Sequence, residues 1–105
     1  MSALDQFSEV VRQAGQPFVV DFWSPQCGPC RQLMPAMEQL ATKYRGRVKF
    51  GKVNINDNME LAGELEIKAL PTIMVFDDMR LVQRMEGVPD LGSFQSYLDE
   101  LAPAA

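Results

Sequence analysis

The chain has 105 residues, 47% of them hydrophobic and 23% charged, with a formal net charge of -4 at pH 7. This length and apolar content predict one domain over residues 1-105 with a single core. The negative charge and the lack of a local basic patch argue against nucleic acid and against a membrane as partners.

A helix and a buried strand are the first predicted elements. Ser2 and Asp5 resemble a capping box, apolar residues then recur on one helical face, and Gly15 suits the helix end. The apolar run from Phe18 to Trp23 predicts a strand that is buried on both faces of a sheet. Asp21 is the one charged residue within that otherwise apolar run.

The second helix is predicted directly after the two cysteines. Apolar residues keep helical spacing from Leu33 to Tyr44, before Gly46, and Pro35 is expected to kink this helix because it lacks an N–H donor. Cys27 is therefore placed at a helix N-terminus. The run from Val48 to Asn54 is predicted as the next strand.

The second half of the chain predicts a short helix, a hairpin and a last helix. Residues 56–58 are expected to cap the short helix. The strand-like runs 72–76 and 81–85 are close enough for an antiparallel hairpin. Pro89 and Asp90 begin the last helix. The order of elements predicts an α/β fold, with a mixed central sheet of about four strands flanked on both faces by four helices.

No targeting segment is evident at the N-terminus, which lacks both the basic and the apolar part of a signal peptide. No apolar run approaches the roughly 18 to 20 residues of a membrane span. We therefore expect a cytoplasmic protein. In that reducing compartment, two cysteines separated by two residues indicate redox or metal chemistry more often than a structural disulfide.

Cys27 and Cys30 have the spacing of a redox-active pair. At a helix N-terminus, unpaired N–H groups and the helix dipole would stabilise a Cys27 thiolate, whereas Cys30 should be more buried. We predict that Cys27 is the attacking nucleophile and that Cys30 is the resolving thiol. Gly28 allows a sharp backbone path between them, and Pro29 suits the first turn of a helix.

Asp21 is a candidate for proton transfer. A charged carboxyl in a buried strand is unfavourable unless it is paired, so its pKa should rise and it could exchange a proton with Cys30. The alternative, which stays open at this point, is a buried carboxyl satisfied by backbone N–H groups. Lys52 on a neighbouring strand is a candidate partner for Asp21, although an exposed lysine is the better default there.

Metal binding is the main alternative for the cysteine pair. Structural zinc sites and iron–sulfur clusters need four ligands, whereas this chain has two Cys and no His, so either would require a second subunit. A structural disulfide across two residues closes a very small loop and would stabilise little. We therefore expect neither a metal nor a cofactor.

The chain resembles the thioredoxin family over a stretch from about Phe7 to Leu101. The segments that carry the resemblance are Val20-Asp21-Phe22-Trp23, Cys27-Gly28-Pro29-Cys30, Pro35, Lys52-Val53-Asn54-Ile55 and Leu70-Pro71-Thr72. The resemblance implies reduction of protein disulfides, with electrons supplied by a thioredoxin reductase, by a protein expected to be a monomer.

The resemblance also implies a substrate groove beside the cysteines. A cis peptide bond before Pro71 would leave the Leu70 backbone free to pair with a substrate strand, whereas the residues alone predict only a proline at the start of a strand. Gly87 and Val88 resemble the last loop that lines the groove, with an ordinary turn glycine as the alternative. The complete substrate-binding set is expected to be Trp23, Gln26, Gly28, Pro29, Leu70, Pro71, Gly87 and Val88.

Four features depart from the family pattern. Gln26 stands where the family usually has Trp, so a small polar surface replaces a large apolar one, and Asn56 replaces an acidic residue. Too few residues precede Leu4 for the family's first strand, so we predict four strands with the run 48–54 at a sheet edge. Met79 occupies a hairpin position where glycine is usual, so we predict a turn without positive φ.

A second function stays open beside the reductase. The shortened sheet and the altered Gln26 surface would also suit a thioredoxin-like binding or redox-sensing module with little general reductase activity. Such a module should form complexes that survive the loss of both thiols, whereas a reductase should form covalent complexes that reductant releases.

Overall fold

Helices and strands alternate in the order that the sequence predicts. The computed structural model describes residues 1–104, so Ala105, the last residue of the predicted domain, lies outside the described residues. The elements are α1 (Ala3–Gln13), β1 (Phe18–Trp23), α2 (Gly28–Lys43), β2 (Lys49–Asn54), a 3-10 turn (Ile55–Asp57), α3 (Met59–Glu64), β3 (Thr72–Asp77), β4 (Arg80–Glu86) and α4 (Leu91–Leu101). No helix among residues 1–104 is long and apolar enough to cross a membrane.

The four strands form one mixed sheet in the order β2-β1-β3-β4. β1 is parallel to β2 and antiparallel to β3, and β3 and β4 form the predicted antiparallel hairpin. Because β1 has a neighbour on each side and helices above and below, its apolar run is buried on both faces. The α/β prediction of a four-stranded mixed sheet with β2 at an edge is confirmed.

Two apolar clusters fill the two faces of the sheet, because alternate side chains of a strand point to opposite faces. The cluster under α2 and α4 includes Val19, Leu33, Met37, Leu40, Tyr44, Ile73, Val75, Phe94 and Leu98. The cluster under α1 and α3 includes Val11, Phe18, Val20, Phe22, Leu61 and Met74. The helices therefore cover both faces, as predicted.

The predicted N-terminal cap is present in the first helix but absent from the third. The hydroxyl of Ser2 accepts from the Asp5 N–H at 3.0 Å and the Asp5 side chain accepts from the Ser2 N–H, so the predicted capping box of α1 is confirmed. The predicted cap of α3 is wrong, since Asn58 occupies the N-cap without a capping side-chain bond. Its Nδ2 donates instead to the carbonyl of Asn54 at 2.9 Å, and Asn54 Oδ1 accepts from the Asn56 N–H at 2.9 Å. These side chains brace the end of β2.

The turn between β3 and β4 also contradicts the prediction. Asp78 and Met79 both have positive φ, 51° and 69°. Asp77 pairs directly with Arg80, so only two residues connect the strands. A two-residue hairpin matches the right-handed twist of its strands when both turn residues have positive φ. The geometry of the two-residue hairpin therefore outweighs the preference of Met79 for a negative φ.

Candidate redox site

Cys27 and Cys30 are joined by a disulfide at the start of α2, with their Cα atoms 5.3 Å apart. Cys27 is the N-cap of the helix, and its Sγ accepts from the Cys30 N–H at 3.2 Å. Cys27 is half-buried, whereas Cys30 is completely buried. The structure thus places the pair where the sequence predicted it, with Cys27 as the more accessible sulfur.

The loop before α2 delivers Cys27 to the helix start. The Cys27 N–H donates to the Ser24 carbonyl at 3.1 Å, and the Cys27 carbonyl accepts the first helical bond from the Arg31 N–H at 3.1 Å. Pro29 lies in the first helical turn, as predicted, where a missing N–H leaves no bond unmade. Gly28 has no positive φ, and a Cβ atom there would meet no neighbouring atom within 4 Å. The oxidised pair therefore shows no use of glycine's conformational freedom at position 28, and the predicted role of Gly28 in the backbone path stays a prediction.

Asp21 is 3% exposed in the central strand, and its Oδ1 has no hydrogen-bond partner among residues 1–104. Burial raises the pKa of this carboxyl to about 6, and the charge of Lys52 acts in the opposite direction. The structure shows no backbone donor to Oδ1, which weakens the alternative of a fully satisfied carboxyl. A carboxyl with a pKa of about 6 can exchange a proton near neutral pH.

Lys52 lies opposite Asp21 in the register of β1 and β2. Its ammonium group lies 5.7 Å from the centre of the Trp23 ring and 3.6 Å from Met34 Sδ. In the described part of the chain no ion pair joins Lys52 to Asp21. A cavity of about 180 Å³ opens between α2 and β2 with both residues in its lining, which gives the buried carboxyl a route to solvent. Lys52 therefore acts on Asp21 through its charge and not through a direct bond.

The strand register gathers the predicted groove residues at one end of the sheet. Phe22 pairs with Thr72, which places Trp23 at the end of β1 beside the start of β3. The Leu70–Pro71 peptide bond is cis, as the resemblance implied. The Pro71 carbonyl accepts from the Gly87 N–H at 2.8 Å.

The loop that is predicted to line the groove follows β4. Gly87 has a φ of 86°, a conformation that favours glycine. Val88 is 54% exposed beside it, and Leu70 is half-buried. The Trp23 indole is also half-buried, and its Nε1 has no partner within the described chain.

Gln26 and Asn56, two departures from the family pattern, are in direct contact. The exposed Gln26 side chain accepts through Oε1 from Asn56 Nδ2 at 2.6 Å. The sequence identified each residue separately but not this bond, because they are 30 positions apart. The available signal was that both positions differ from the family pattern in the same chain.

Arg84 is a residue near the site that the sequence analysis missed. Its guanidinium donates to the carbonyls of Leu65 at 2.9 Å and Glu66 at 2.7 Å, which ties β4 to the segment that leads to Leu70. Nothing in the linear sequence distinguishes this arginine from an ordinary polar strand residue. Among residues 1–104, no group of three or more His, Cys, Asp or Glu side chains is placed to bind a metal ion.

Comparison with known proteins gives one consistent result. The family model described as Thioredoxin matches residues 1–100. The chain is 35% identical over 94 residues to thioredoxin 1 of Synechococcus elongatus, covering 90% of this chain and 88% of that protein. It is 42% identical over 72 residues to the chloroplastic M-type thioredoxin of Chlamydomonas reinhardtii, covering 69% of this chain and 51% of that protein. Oxidised mitochondrial thioredoxin 3 of Saccharomyces cerevisiae superposes with a TM-score of 0.82 at 26% identity, covering 93% of this chain and 90% of that one.

Proposed function

This chain belongs to the thioredoxin family, and from that premise we propose how its cysteine pair reduces the disulfides of other proteins. It is a thiol/disulfide oxidoreductase, and its family implies protein disulfides as substrates and a thioredoxin reductase as electron donor. The observation that carries the mechanism is the disulfide at the start of α2, with the more accessible sulfur at the N-cap.

The first step is attack by Cys27 once the pair has been reduced. The Cys30 N–H and the positive end of the helix dipole favour the thiolate form of Cys27. This thiolate forms a bond to one sulfur of the substrate disulfide, and the substrate S–S bond breaks. The electron pair leaves with the other substrate sulfur, which takes up a proton from solvent. The product of this step is a mixed disulfide between Cys27 and the substrate.

The second step is resolution by Cys30, which must first lose its proton in a buried position. We assign Asp21 as the acceptor, because its carboxyl has a pKa of about 6 and an oxygen without a hydrogen-bond partner in the described part of the chain. The Cys30 thiolate then attacks Cys27 Sγ, the mixed disulfide breaks, and the second substrate sulfur leaves as a thiol after protonation. Two electrons have passed from the pair to the substrate.

Lys52 has an electrostatic part in this proposal. Its charge favours the ionised form of Asp21 and so limits the rise in that pKa. The carboxyl is then ionised often enough near neutral pH to accept a proton from Cys30.

The substrate is proposed to dock as an extended segment across the loops at the end of β1. Support comes from the register that places Trp23 beside the start of β3, and from the bond between the Gly87 N–H and the Pro71 carbonyl. In this proposal the Leu70 backbone pairs with the substrate strand. Gln26, Gly28, Pro29 and Val88 would complete the contact surface around Cys27.

A monomeric state and a cytoplasmic location are proposed from the sequence. The net charge of -4 supports the monomeric state, and a redox-active pair with no further cysteine in the sequence suits a reducing compartment. One of the similar thioredoxins is chloroplastic, so an organelle with reducing conditions is the alternative location.

Reduction of insulin with dithiothreitol as electron source tests the mechanism. The wild-type protein should accelerate the reaction, and Cys27→Ser should lose this acceleration because the remaining thiol, Cys30, is buried and out of reach of the substrate. Cys30→Ser should instead accumulate mixed disulfides with protein substrates, which excess reductant releases. Full activity of Cys27→Ser would overturn the mechanism. Tight complexes that persist in the variant lacking both thiols would indicate the binding module instead.

A further inference from the structure

The contact between Gln26 and Asn56 joins the residue next to the nucleophile to the turn that follows β2. We propose that Asn56 holds Gln26 beside Cys27 so that the Gln26 amide selects substrates in which the residue next to the attacked disulfide has a side chain that accepts a hydrogen bond. This inference rests on the proposed function and names the class of substrate that the site prefers. Asn56 is a positioning residue in it, and Gln26 is the residue that contacts substrate.

Asn56 is suited to hold another side chain because hydrogen bonds stabilise the turn in which it lies. Its N–H donates to Asn54 Oδ1 at 2.9 Å, and Asn58 Nδ2 donates to the Asn54 carbonyl at 2.9 Å. Two hydrogen bonds that involve side chains therefore restrict the backbone conformation of the turn that contains Asn56. An exposed glutamine would otherwise sample several rotamers, so a bond of 2.6 Å from this anchor restricts Gln26 to one region.

The direction of the bond decides which part of Gln26 remains available. Oε1 is occupied by Asn56 Nδ2, which leaves the two N–H groups of Nε2 as donors. Gln26 directly precedes Cys27, so a peptide whose disulfide reaches Cys27 brings its flanking residue close to this amide. A flanking side chain with a carbonyl oxygen can accept from Nε2, whereas an aliphatic side chain would remove water from the amide and give no bond in return.

The loop that contains Gln26 carries no charge of its own. Residues 24–30 contain no charged side chain, so the loop that carries both cysteines distinguishes flanks by hydrogen bonding. A large aromatic ring at position 26 would instead favour apolar flanks through buried area. We therefore expect the pair of Gln26 and Asn56 to favour polar flanks, whereas the aromatic residue of the family pattern would favour apolar ones.

A pair of peptides that differ at one residue tests the inference. Each peptide carries one cysteine in a mixed disulfide with a chromogenic thiol, and the residue after that cysteine is Asn in one peptide and Leu, of similar shape, in the other. We expect the reduced wild-type protein to react about three to ten times faster with the Asn peptide, the range that one hydrogen bond supplies. Stopped-flow absorbance gives both second-order rate constants.

Variants at positions 26 and 56 distinguish the residue that contacts substrate from the residue that positions it. Gln26→Met, which keeps the length of the side chain but removes the amide, should bring the rate ratio to about one. Asn56→Leu should lower the ratio in the same direction, and the double variant should match Gln26→Met alone because Asn56 acts only through Gln26. Asp57→Asn, on the same turn but outside the contact, should keep the wild-type ratio.

The ratio is a readout that a purely structural role would not change, since loss of structure affects both peptides equally. Equal rates of the two peptides with the wild-type protein would overturn the inference, and so would an Asn56→Leu protein with an unchanged ratio. Failure to react with either peptide would overturn the proposed function itself.

Discussion

The carboxyl group of Asp21 lies in β1, inside the sheet, and one of its oxygens has no hydrogen-bond partner among residues 1–104. Burial places its pKa at about 6, compared with an ordinary value of 3.8. In the unfolded chain the same group ionises near that ordinary value, so the folded state binds more protons between the two values. The charged carboxylate therefore destabilises the folded protein at neutral pH, and this is the energetic cost of keeping a proton acceptor inside the sheet.

Asp21→Asn should stabilise the oxidised protein at pH 7 to 8. Each pH unit between the two pKa values corresponds to about 1.4 kcal/mol, so the gain is about 2 to 3 kcal/mol at most. Below about pH 4 the wild-type carboxyl is protonated in both states and the gain should vanish. Urea denaturation across this pH range should show wild-type stability falling as pH rises from about 4 to about 6, with no such fall in the variant.

The matched control is Asp57→Asn, which removes an exposed carboxylate and should not raise the free energy of unfolding at neutral pH. If Asp21→Asn were less stable than the wild type at pH 8, the unpaired carboxylate would not be the source of the cost.

The helix α3 is followed by Glu66, a residue that has to adopt an unfavourable backbone conformation. The Ile67 N–H donates to the Ala62 carbonyl at 2.9 Å, and the Glu66 N–H donates to the Gly63 carbonyl at 3.1 Å. This pair of bonds is a Schellman motif, which places Glu66 in the left-handed region with a φ of 54°. Glycine is the usual residue there, because a Cβ atom crowds the following carbonyl. Arg84 donates to the Leu65 and Glu66 carbonyls and helps to hold this conformation.

Glu66→Gly should therefore stabilise the protein. Relief of the left-handed Cβ contributes about 1 to 2 kcal/mol, and the greater freedom of glycine in the unfolded chain removes part of it, which leaves about 0.5 to 1 kcal/mol. A glycine in the interior of the same helix, as in Ala62→Gly, should instead cost about 1 kcal/mol. Chemical denaturation of both variants should give opposite signs. Destabilisation by both would show that the left-handed residue is not strained.

The elements predicted correctly are those that neighbouring residues encode. The capping box of α1 involves two residues three positions apart, and the apolar run of β1 identifies a buried strand by itself. The errors concern features that distant residues decide. Asn58 turns back to the end of β2 and does not cap α3, and Met79 takes a positive φ because the hairpin register allows only two turn residues.

At the scale of the whole molecule, the position of the site followed from a local motif and from topology. The cysteine pair, the strand before it and the helix after it are contiguous, so their mutual placement could be predicted. The contact between Gln26 and Asn56 spans 30 positions, and the bonds from Arg84 cross from β4 to the end of α3. Both depend on how distant elements pack, which residue patterns alone do not determine.

The four-stranded sheet leaves β2 with an open edge. The Lys49 N–H donates to the Pro17 carbonyl at 2.8 Å, so the backbone groups of Phe50 and Lys52 point away from β1 by the alternation of a strand. An open edge of this kind can pair with another chain. Lys49 and Lys52 lie three positions apart and so project to opposite faces, which places a positive charge on each side of the edge.

Lys49 is the residue that best tests whether charge protects this edge. Its ammonium group lies 5.5 Å from the centre of the Phe18 ring on β1, so the side chain folds over one face of the sheet and keeps a positive charge close to the edge strand. Valine at this position would remove the charge and raise the β-propensity of the strand. Two copies of β2 could then pair along their edges without repulsion between lysines at this position.

Lys49→Val should therefore increase self-association while the wild-type protein remains a monomer under the same conditions. Sedimentation velocity over a range of concentrations should show a sedimentation coefficient that rises with concentration for Lys49→Val only. Lys68→Val is the matched control, because Lys68 is exposed but lies outside the sheet, and it should sediment as the wild type does. Since Lys49 is not among the proposed site residues, the variant should still reduce insulin at low concentration, where the monomer predominates. Identical sedimentation of Lys49→Val and Lys68→Val would mean that the twist and shortness of β2, and not its lysines, keep the edge unpaired.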